Sequence, residues 1–237
     1  MKAIDTLSQI QNAVVTCRRC SRLVTWREEA AAKKVRRYSN EAYWGKPLPG
    51  FGHAEAGLVV VGLAPAAHGG NRTGRMFTGD DSGDWLIRAM HQAGFANQEV
   101  SRSLNDGLML HNAYVTAVVR CAPPKNRPTR DEIDACLPYL AMELDILHPQ
   151  VVIALGRIAF DGVIKYLRLR SLYPGGWQFR HGEQYQITDP YPMWVLTSYH
   201  PSRQNTQTGR LTQNMLQSVF NNAQTILQAN QIAKKRL

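Results

Sequence analysis

Four cysteines among 237 residues fall into two pairs, Cys17-x2-Cys20 and Cys121-x14-Cys136. A Cys-x2-Cys pair alone suits zinc, iron–sulfur and redox chemistry alike. The thioredoxin-like version fits poorly, because this pair precedes the first strand-like run and follows no strand. Zinc ribbons use two close pairs, whereas the second pair here spans a Pro-rich loop and a helical stretch. Four thiolates with none left over suit an iron–sulfur site at least as well as zinc, and spacing does not choose between them. Four unrelated buried thiols are the plain alternative.

The remaining chemistry lies in three loops of Gly, Asn, His, Asp and Arg. One runs from Gly62 through Ala64, His68 and Asn71 to Phe77 and Asp80. A second runs from Arg120 to Pro128 and contains Asn126, and a third runs from Tyr199 and His200 to Arg210. Asp80 offers a carboxylate, with capping of the next helix as its structural alternative. His200 offers an imidazole, against an ordinary packed histidine. No G-x-S-x-G elbow accompanies His200 and no G-K-[ST] follows the glycines, which removes a serine hydrolase and a phosphate P-loop.

These loops need elements to hold them. Apolar runs at 58–63, 113–119, 151–155 and 194–198 are rich in β-branched residues and bounded by turn residues. Continuous runs of that kind suit strands buried on both faces. Helical patterns at 4–16, 23–38, 84–94, 130–147, 157–169 and 211–232 surround and separate them. Thr129 and Glu132 form a capping box, and Pro138 predicts a break or kink just after Cys136. Residues 43–57 are Gly/Pro-rich loop, and 173–188 predict a loop or hairpin. The alternation predicts an α/β fold, a three-layer sandwich with right-handed crossovers. It would be a single domain over 1–237, with an N-terminal part at 1–57 and the sheet and helices at 58–237. The three loops follow the carboxyl ends of the first, second and fourth strands, where open α/β sheets bind their ligands.

Composition narrows the partners. The 28 Lys and Arg outnumber 18 Asp and Glu to give a formal charge of +10. That excess points to a polyanion, with a generally basic surface as the alternative. The cluster Lys33, Lys34, Arg36 and Arg37 suits either a solvated helix face or a DNA-facing patch. A content of 44% hydrophobic and 8% aromatic residues excludes global disorder. No apolar run approaches the roughly 18 residues of a membrane span. The N-terminal residues lack the apolar core and cleavage site of a signal peptide, so the expected compartment is the cytosol, where structural disulfides are not expected. The basic tail Lys234-Lys235-Arg236 is expected to fray.

Together the two cysteine pairs, Gly62-Leu63-Ala64-Pro65-Ala66-Ala67-His68-Gly69, Gly74-Arg75-Met76-Phe77-Thr78-Gly79-Asp80 and Ser198-Tyr199-His200-Pro201-Ser202 resemble the uracil-DNA glycosylase superfamily. The likeness is greatest to family 5, the iron–sulfur-containing B-type enzymes, and extends from Cys17 to the last helix. It implies a central four-stranded, mainly parallel sheet in an α/β/α sandwich. It also implies a [4Fe–4S] cluster on Cys17, Cys20, Cys121 and Cys136. The implied activity is monofunctional: hydrolysis of the N-glycosidic bond of uracil in DNA, leaving an abasic site for base excision repair. Asp80 would stabilise the sugar cation or orient water, with Asp81 as the fallback, and His200 would donate to the leaving base. Phe77 would stack on that base, or else be a core aromatic. Asn126, Ala64, His68 and Asn71 would line its pocket, with a turn role as the alternative for Asn126. Arg203, Gln204, Asn205 and Gln207 would enter the minor groove unless they form a merely solvated loop, and Pro49 and Gly50 would grip the backbone. Other branches carry a carboxylate just after the first Gly of the strand-one motif, and family 4 has an Asn in strand two. Here Leu63 and Ala64 replace the first and Ala117 the second, which implies a roomier pocket open to hypoxanthine and xanthine. The implied partner is double-stranded, and also single-stranded, DNA met by a monomer at the nucleoid. A non-catalytic iron–sulfur or zinc nucleic-acid-binding protein is the alternative, and it leaves Asp80 and His200 without a purpose.

Overall fold

The computed structural model describes residues 6–189 and 191–235, with side chains left out at 231 and 233–235. Ile4 of the first predicted helix and Arg236 of the basic tail lie outside the described residues. The helices are α1 (Leu7–Val15), α2 (Ser21–Lys33), α3 (Gly70–Thr73), α4 (Asp81–Gln92), α5 (Arg130–Leu147), α6 (Arg157–Leu169), α7 (Arg203–Gln207) and α8 (Gln213–Lys235). The strands are β1 (Phe51–Gly52), β2 (Leu58–Gly62), β3 (Ala113–Ala117), β4 (Val151–Leu155), β5 (Gln184–Ile187) and β6 (Met193–Ser198).

The sheet has six strands in the order β1-β3-β2-β4-β6-β5. Its centre, β3-β2-β4-β6, is the expected parallel set of four. Two antiparallel edge strands extend it, β1 against β3 and β5 against β6. Neither edge strand has an apolar run, because each meets the sheet along one side only. Side chains alternate across a strand, and both faces of the central strands are covered. Leu58, Val60, Val115, Ile153 and Leu196 face a core completed by Leu86, Met90, Phe220 and Leu227 of α4 and α8. Val59, Val61, Tyr114, Val152 and Val195 face the other core, with Ile10, Leu140, Phe160 and Val163 of α1, α5 and α6. Two-sided burial is why these strands are continuously apolar, and the three-layer α/β/α sandwich follows. No helix among the described residues is long and apolar enough to cross a membrane.

Two local expectations change. The helix from Leu23 does not reach Tyr38: Lys34 takes a left-handed φ of 52° and ends α2, and Arg36–Tyr38 form a separate 3-10 turn. That turn brings Tyr38 over the Arg72 guanidinium, 3.8 Å from the ring centroid, a tertiary contact outweighing helix propensity. Of the break or kink expected at Pro138, the break does not occur, and α5 runs through it from Arg130 to Leu147. Pro138 lies on the exposed side beside exposed Asp134. Water can therefore reach the carbonyl the ring leaves without its helical partner, and Arg19 Nη1 approaches the next one, of Ala135, at 3.5 Å. The Thr129–Glu132 capping box is present, and α8 carries the chain helically to Lys235, past the predicted end.

A buried ion pair joins the loop after β3 to α5. Arg120 donates to Glu143 through Nη1 at 3.0 Å and Nη2 at 2.5 Å, with the two side chains 1% and 0% exposed. Thr116 and Tyr114 hydroxyls donate to the same carboxylate at 2.6 and 3.2 Å. Breaking such a pair strands a charge in the core, which costs about 3–5 kcal/mol. Glu143→Ala should lose about that much unfolding free energy in urea titration, whereas truncating the exposed Arg157–Asp161 pair should cost less than about 1 kcal/mol.

Candidate active site and cysteine cavity

Phe77, Asp80 and His200 arrive from two strand ends. β2 stops at Gly62, and the chain winds through α3 before returning to Phe77 and Asp80; His200 lies just past β6. A Cβ on Gly62 would stand 2.7 Å from the Phe77 ring, so that ring lies over the end of β2. Phe77 and His200 rings stack, with centroids 5.9 Å apart and planes at 29°. Gly156, at the end of β4, leaves His200 its space, since a Cβ there would come 3.2 Å from the His200 Cβ.

Asp80 is both cap and candidate catalyst. Its Oδ1 accepts the Gly83 N–H at 2.9 Å as the N-cap of α4. Its Oδ2 faces Gly69, where a Cβ would lie 1.9 Å away. Burial pushes the carboxyl above its ordinary pKa, opposed by the Gly83 N–H and reinforced by Asp81 and Asp84. Asp81 is instead engaged by Arg203, which holds its carboxyl below the usual range.

His200 is half-buried, and desolvation lowers its pKa to about 4. It is a neutral imidazole at physiological pH, with one N–H to donate and one nitrogen to accept. Asn205 Nδ2 donates to its carbonyl at 2.8 Å. His181 Nδ1 accepts the neighbouring Tyr199 N–H at 3.2 Å, and its ring stacks on Tyr199.

The loop bearing Phe77 and Asp80 is held by two buried arginines. Arg72 donates to the carbonyls of His68 at 2.8 Å and Gly79 at 2.9 Å and pairs with Glu41. Arg75 donates to Thr78 Oγ1 at 3.0 Å, Ser101 Oγ at 2.8 Å and both Asp106 oxygens at 2.7 and 2.8 Å. Asp106 also accepts N–H groups of Arg102, Ser103 and Leu108. Arg75 and those N–H groups outweigh the opposing effect of burial and hold its carboxyl down to about 2. The residue pattern alone does not single these residues out. Arg72 and Arg75 sit inside the strand-one motif, but residue type does not say that a guanidinium is buried.

The other expected residues are placed variously. Asn71 is fully buried, its amide donating to the Arg27 carbonyl at 3.1 Å and the Ala67 carbonyl at 3.4 Å. His68 is half-buried, its Nδ1 3.1 Å from the Tyr43 hydroxyl. Ala64 packs partly against the core. Asn126 is exposed, with a left-handed φ of 56°, in the 3-10 turn Pro124–Asn126. Gly50 is buried against the Tyr114 ring, 2.4 Å from where a Cβ would stand, and Pro49 is half-buried beside it. Arg203, Gln204 and Gln207 are exposed on α7, whereas Asn205 turns inward to the His200 carbonyl.

All four cysteines line one small pocket, together with Leu23, Val24, Pro47, Val119 and Tyr139. None forms a disulfide. No group of three or more His, Cys, Asp or Glu among the described residues is arranged to hold a single metal ion. Burial pushes the Cys121 thiol up to about 12 and that of Cys136 to about 11. Arg120 N–H donates to Cys136 Sγ at 3.3 Å. Arg27, 2% exposed, points Nη1 at Cys121 Sγ, 3.7 Å away, and its Nε has no partner among the described residues. Glu28, 3.4 Å from Arg27 Nη2, is already gripped by both terminal nitrogens of Arg18. A buried cation with so little carboxylate beside it calls for an anionic group. Four metal-bound thiolates supply one, so the residues present fit a cysteine-ligated cofactor.

The sequence model of the uracil DNA glycosylase superfamily matches residues 49–224. The chain belongs to this superfamily. A type-5 uracil-DNA glycosylase of Thermus thermophilus is 47% identical over 215 residues, covering 90% of this chain and 94% of the relative. One of Pyrobaculum aerophilum is 45% identical over 212 residues, covering 90% and 89%. One of Mycobacterium tuberculosis is 43% identical over 223 residues, covering 93% and 82%. The superfamily match takes in Phe77, Asp80 and His200 and two of the four cysteines, and Cys17 and Cys20 precede it.

The His200 environment predicts a pH effect of definite sign. Between pH 6.5 and about 4 the unfolded chain binds the imidazole proton and the folded chain does not. Stability from this group therefore falls as pH drops through that window and levels off below it. In urea titrations at about pH 7 and about pH 4.5, on either side of most of that window, His200→Asn should lose less stability on acidification than the parent.

Proposed function

We infer that this chain is a monofunctional uracil-DNA glycosylase of DNA repair, hydrolysing the N-glycosyl bond of uracil in DNA. The observation that supports a hydrolytic site most directly is the grouping of Asp80, Phe77 and neutral His200 at the ends of β2 and β6. We further propose that it accepts hypoxanthine and xanthine, because small Ala64 and Ala117 stand where related branches carry a carboxylate and an amide. Ala117 pairs with Gly62 at the pocket end of the sheet, so both strand termini there lack a polar side chain.

A base stacked in a duplex is out of reach, so the nucleotide must be flipped. Phe77 offers the flipped base an aromatic face. Cleavage then develops positive charge on the sugar and negative charge on the leaving base. As a carboxylate, Asp80 would stabilise the sugar cation or orient water through Oδ2, while Oδ1 remains on Gly83. His200 donates its N–H to an oxygen of the departing base. A neutral donor suits this step, since it stabilises the developing anion without surrendering its proton beforehand. His68 and Ala64 line the pocket, with exposed Asn126 at its edge. Asn71 acts from behind by fixing the Ala67 carbonyl. Arg203, Gln204 and Gln207 meet the minor groove and Pro49 the backbone; Asn205 and Gly50 serve these segments by packing.

Cys17, Cys20, Cys121 and Cys136 would hold a [4Fe–4S] cluster, supplying a covalent brace between the N-terminal segment, the loop after β3 and α5. The chain would act as a single-domain monomer on double- or single-stranded DNA in the cytosol, at the nucleoid.

Wild-type protein should release uracil, hypoxanthine and xanthine from duplex oligonucleotides and leave an abasic site uncut until alkali is added. Release of no base would overturn the reading, and release of uracil alone would remove the wider specificity. The purified protein should contain equal iron and acid-labile sulfide and absorb broadly near about 400 nm, as expected of thiolate-ligated iron. Stoichiometric zinc instead would overturn the cluster.

A further inference from the structure

The segment that ends α2 prematurely lies against the catalytic loop. Tyr38 covers the Arg72 guanidinium, whose Nη2 holds the Gly79 carbonyl next to Asp80. The following residues are stitched to α3, with Trp44 N–H donating to the Arg72 carbonyl at 2.9 Å and Gly45 N–H to that of Asn71 at 3.0 Å. Glu41 pairs with Arg72 from the same segment. The backbone from Arg36 to Gly45 is thus fixed against the shell of the site.

Two cations on this segment have no directly bonded carboxylate. Arg36 and Arg37 are exposed and form no ion pair among the described residues. Arg37 only leans on the Tyr38 ring, at 5.1 Å. Asp81, the first residue of α4, is held ionised chiefly by its hydrogen bond to Arg203 and also by the charge of Arg37. Arg37 and Arg203 therefore stand near the same carboxylate, one residue from Asp80. Two exposed guanidiniums without a directly bonded carboxylate, at the rim of a site that takes a nucleotide from a polyanion, have a natural complement in phosphate.

We propose that Arg36 and Arg37 form a phosphate clamp for the DNA strand entering the site, beside Arg203 of α7. This rests on the glycosylase reading above. The clamp contributes affinity and orientation and no sequence choice, as backbone contacts do. Its rigidity comes from the Tyr38–Arg72 contact, which couples the clamp to the loop bearing Asp80.

The test is the salt dependence of binding to a duplex carrying a stable abasic-site analogue, followed by fluorescence anisotropy. Each phosphate that is no longer neutralised should lower the slope of log K against log[salt] by about 0.9. Arg36→Ala/Arg37→Ala should therefore flatten the slope by about 2. Arg36→Lys/Arg37→Lys should keep it, and Arg168→Ala, at the far end of α6, should leave it unchanged. An unchanged slope in the alanine pair, with uracil release intact in the parent, would overturn the clamp. A parent that binds with the expected slopes but releases no base would overturn the glycosylase reading and leave the clamp standing.

Discussion

Two buried guanidiniums, Arg72 and Arg75, fix the loop on which the rest of the site depends. Phe77 is held at a φ of 50°, a left-handed conformation that costs a bulky residue energy and persists only when its surroundings determine it. Arg72 and Arg75 do so by occupying the carbonyls of His68 and Gly79, the Thr78 hydroxyl and the Asp106 carboxylate. Gly62 and Gly83 complete the arrangement by omission, since a Cβ on either would strike Phe77. With Phe77 set, the chain enters α4 in one way only, and Asp80 becomes its cap with one oxygen to spare.

The cysteine cavity is the second fixed frame, joined to the first through Arg27. Its guanidinium faces Cys121 while its carbonyl holds Asn71, which in turn holds Ala67 in the strand-one loop. The Arg120–Glu143 pair anchors the other side, keeping Cys121 and Cys136 in register on the loop after β3 and on α5. The cysteine pocket and the loop bearing Phe77 and Asp80 are thus neighbouring parts of one packed network.

The sheet was legible because its cause is local. Four strands buried on both faces must be apolar throughout, and 58–63, 113–119, 151–155 and 194–198 are. Gln184–Ile187 lies in the expected loop or hairpin at 173–188 and pairs antiparallel with β6. The edge strand Phe51–Gly52 was not legible, because it carries no pattern apart from the neighbour that pairs with it. The end of α2 at Lys34 and the continuity of α5 through Pro138 escape sequence reasoning for the same reason. One is decided by Tyr38 meeting Arg72, the other by which side of the helix faces water. In the site, the motifs picked out Phe77, Asp80 and His200, whereas Arg27, Arg72, Arg75 and Asp106 became visible only with burial. A lysine-and-arginine-rich chain gives no indication of which guanidiniums lie inside. Asn71 and Asn205 show the converse, since both sit in motif loops yet spend their amides on backbone carbonyls.

Asp80 and His200 are proposed to act on opposite ends of one glycosidic bond. Single-turnover uracil release by Asp80→Asn and His200→Ala tests this most directly. An asparagine can still cap α4 through its side-chain oxygen, so Asp80→Asn removes the charge and leaves the loop in place. Each variant should retain the parent's folded stability at neutral pH to within about 1 kcal/mol, a typical effect of one substitution. Each should release uracil about 10²–10³ times more slowly, the usual effect of removing one preorganised electrostatic contact. Rates within a few-fold of the parent in both variants would contradict the account.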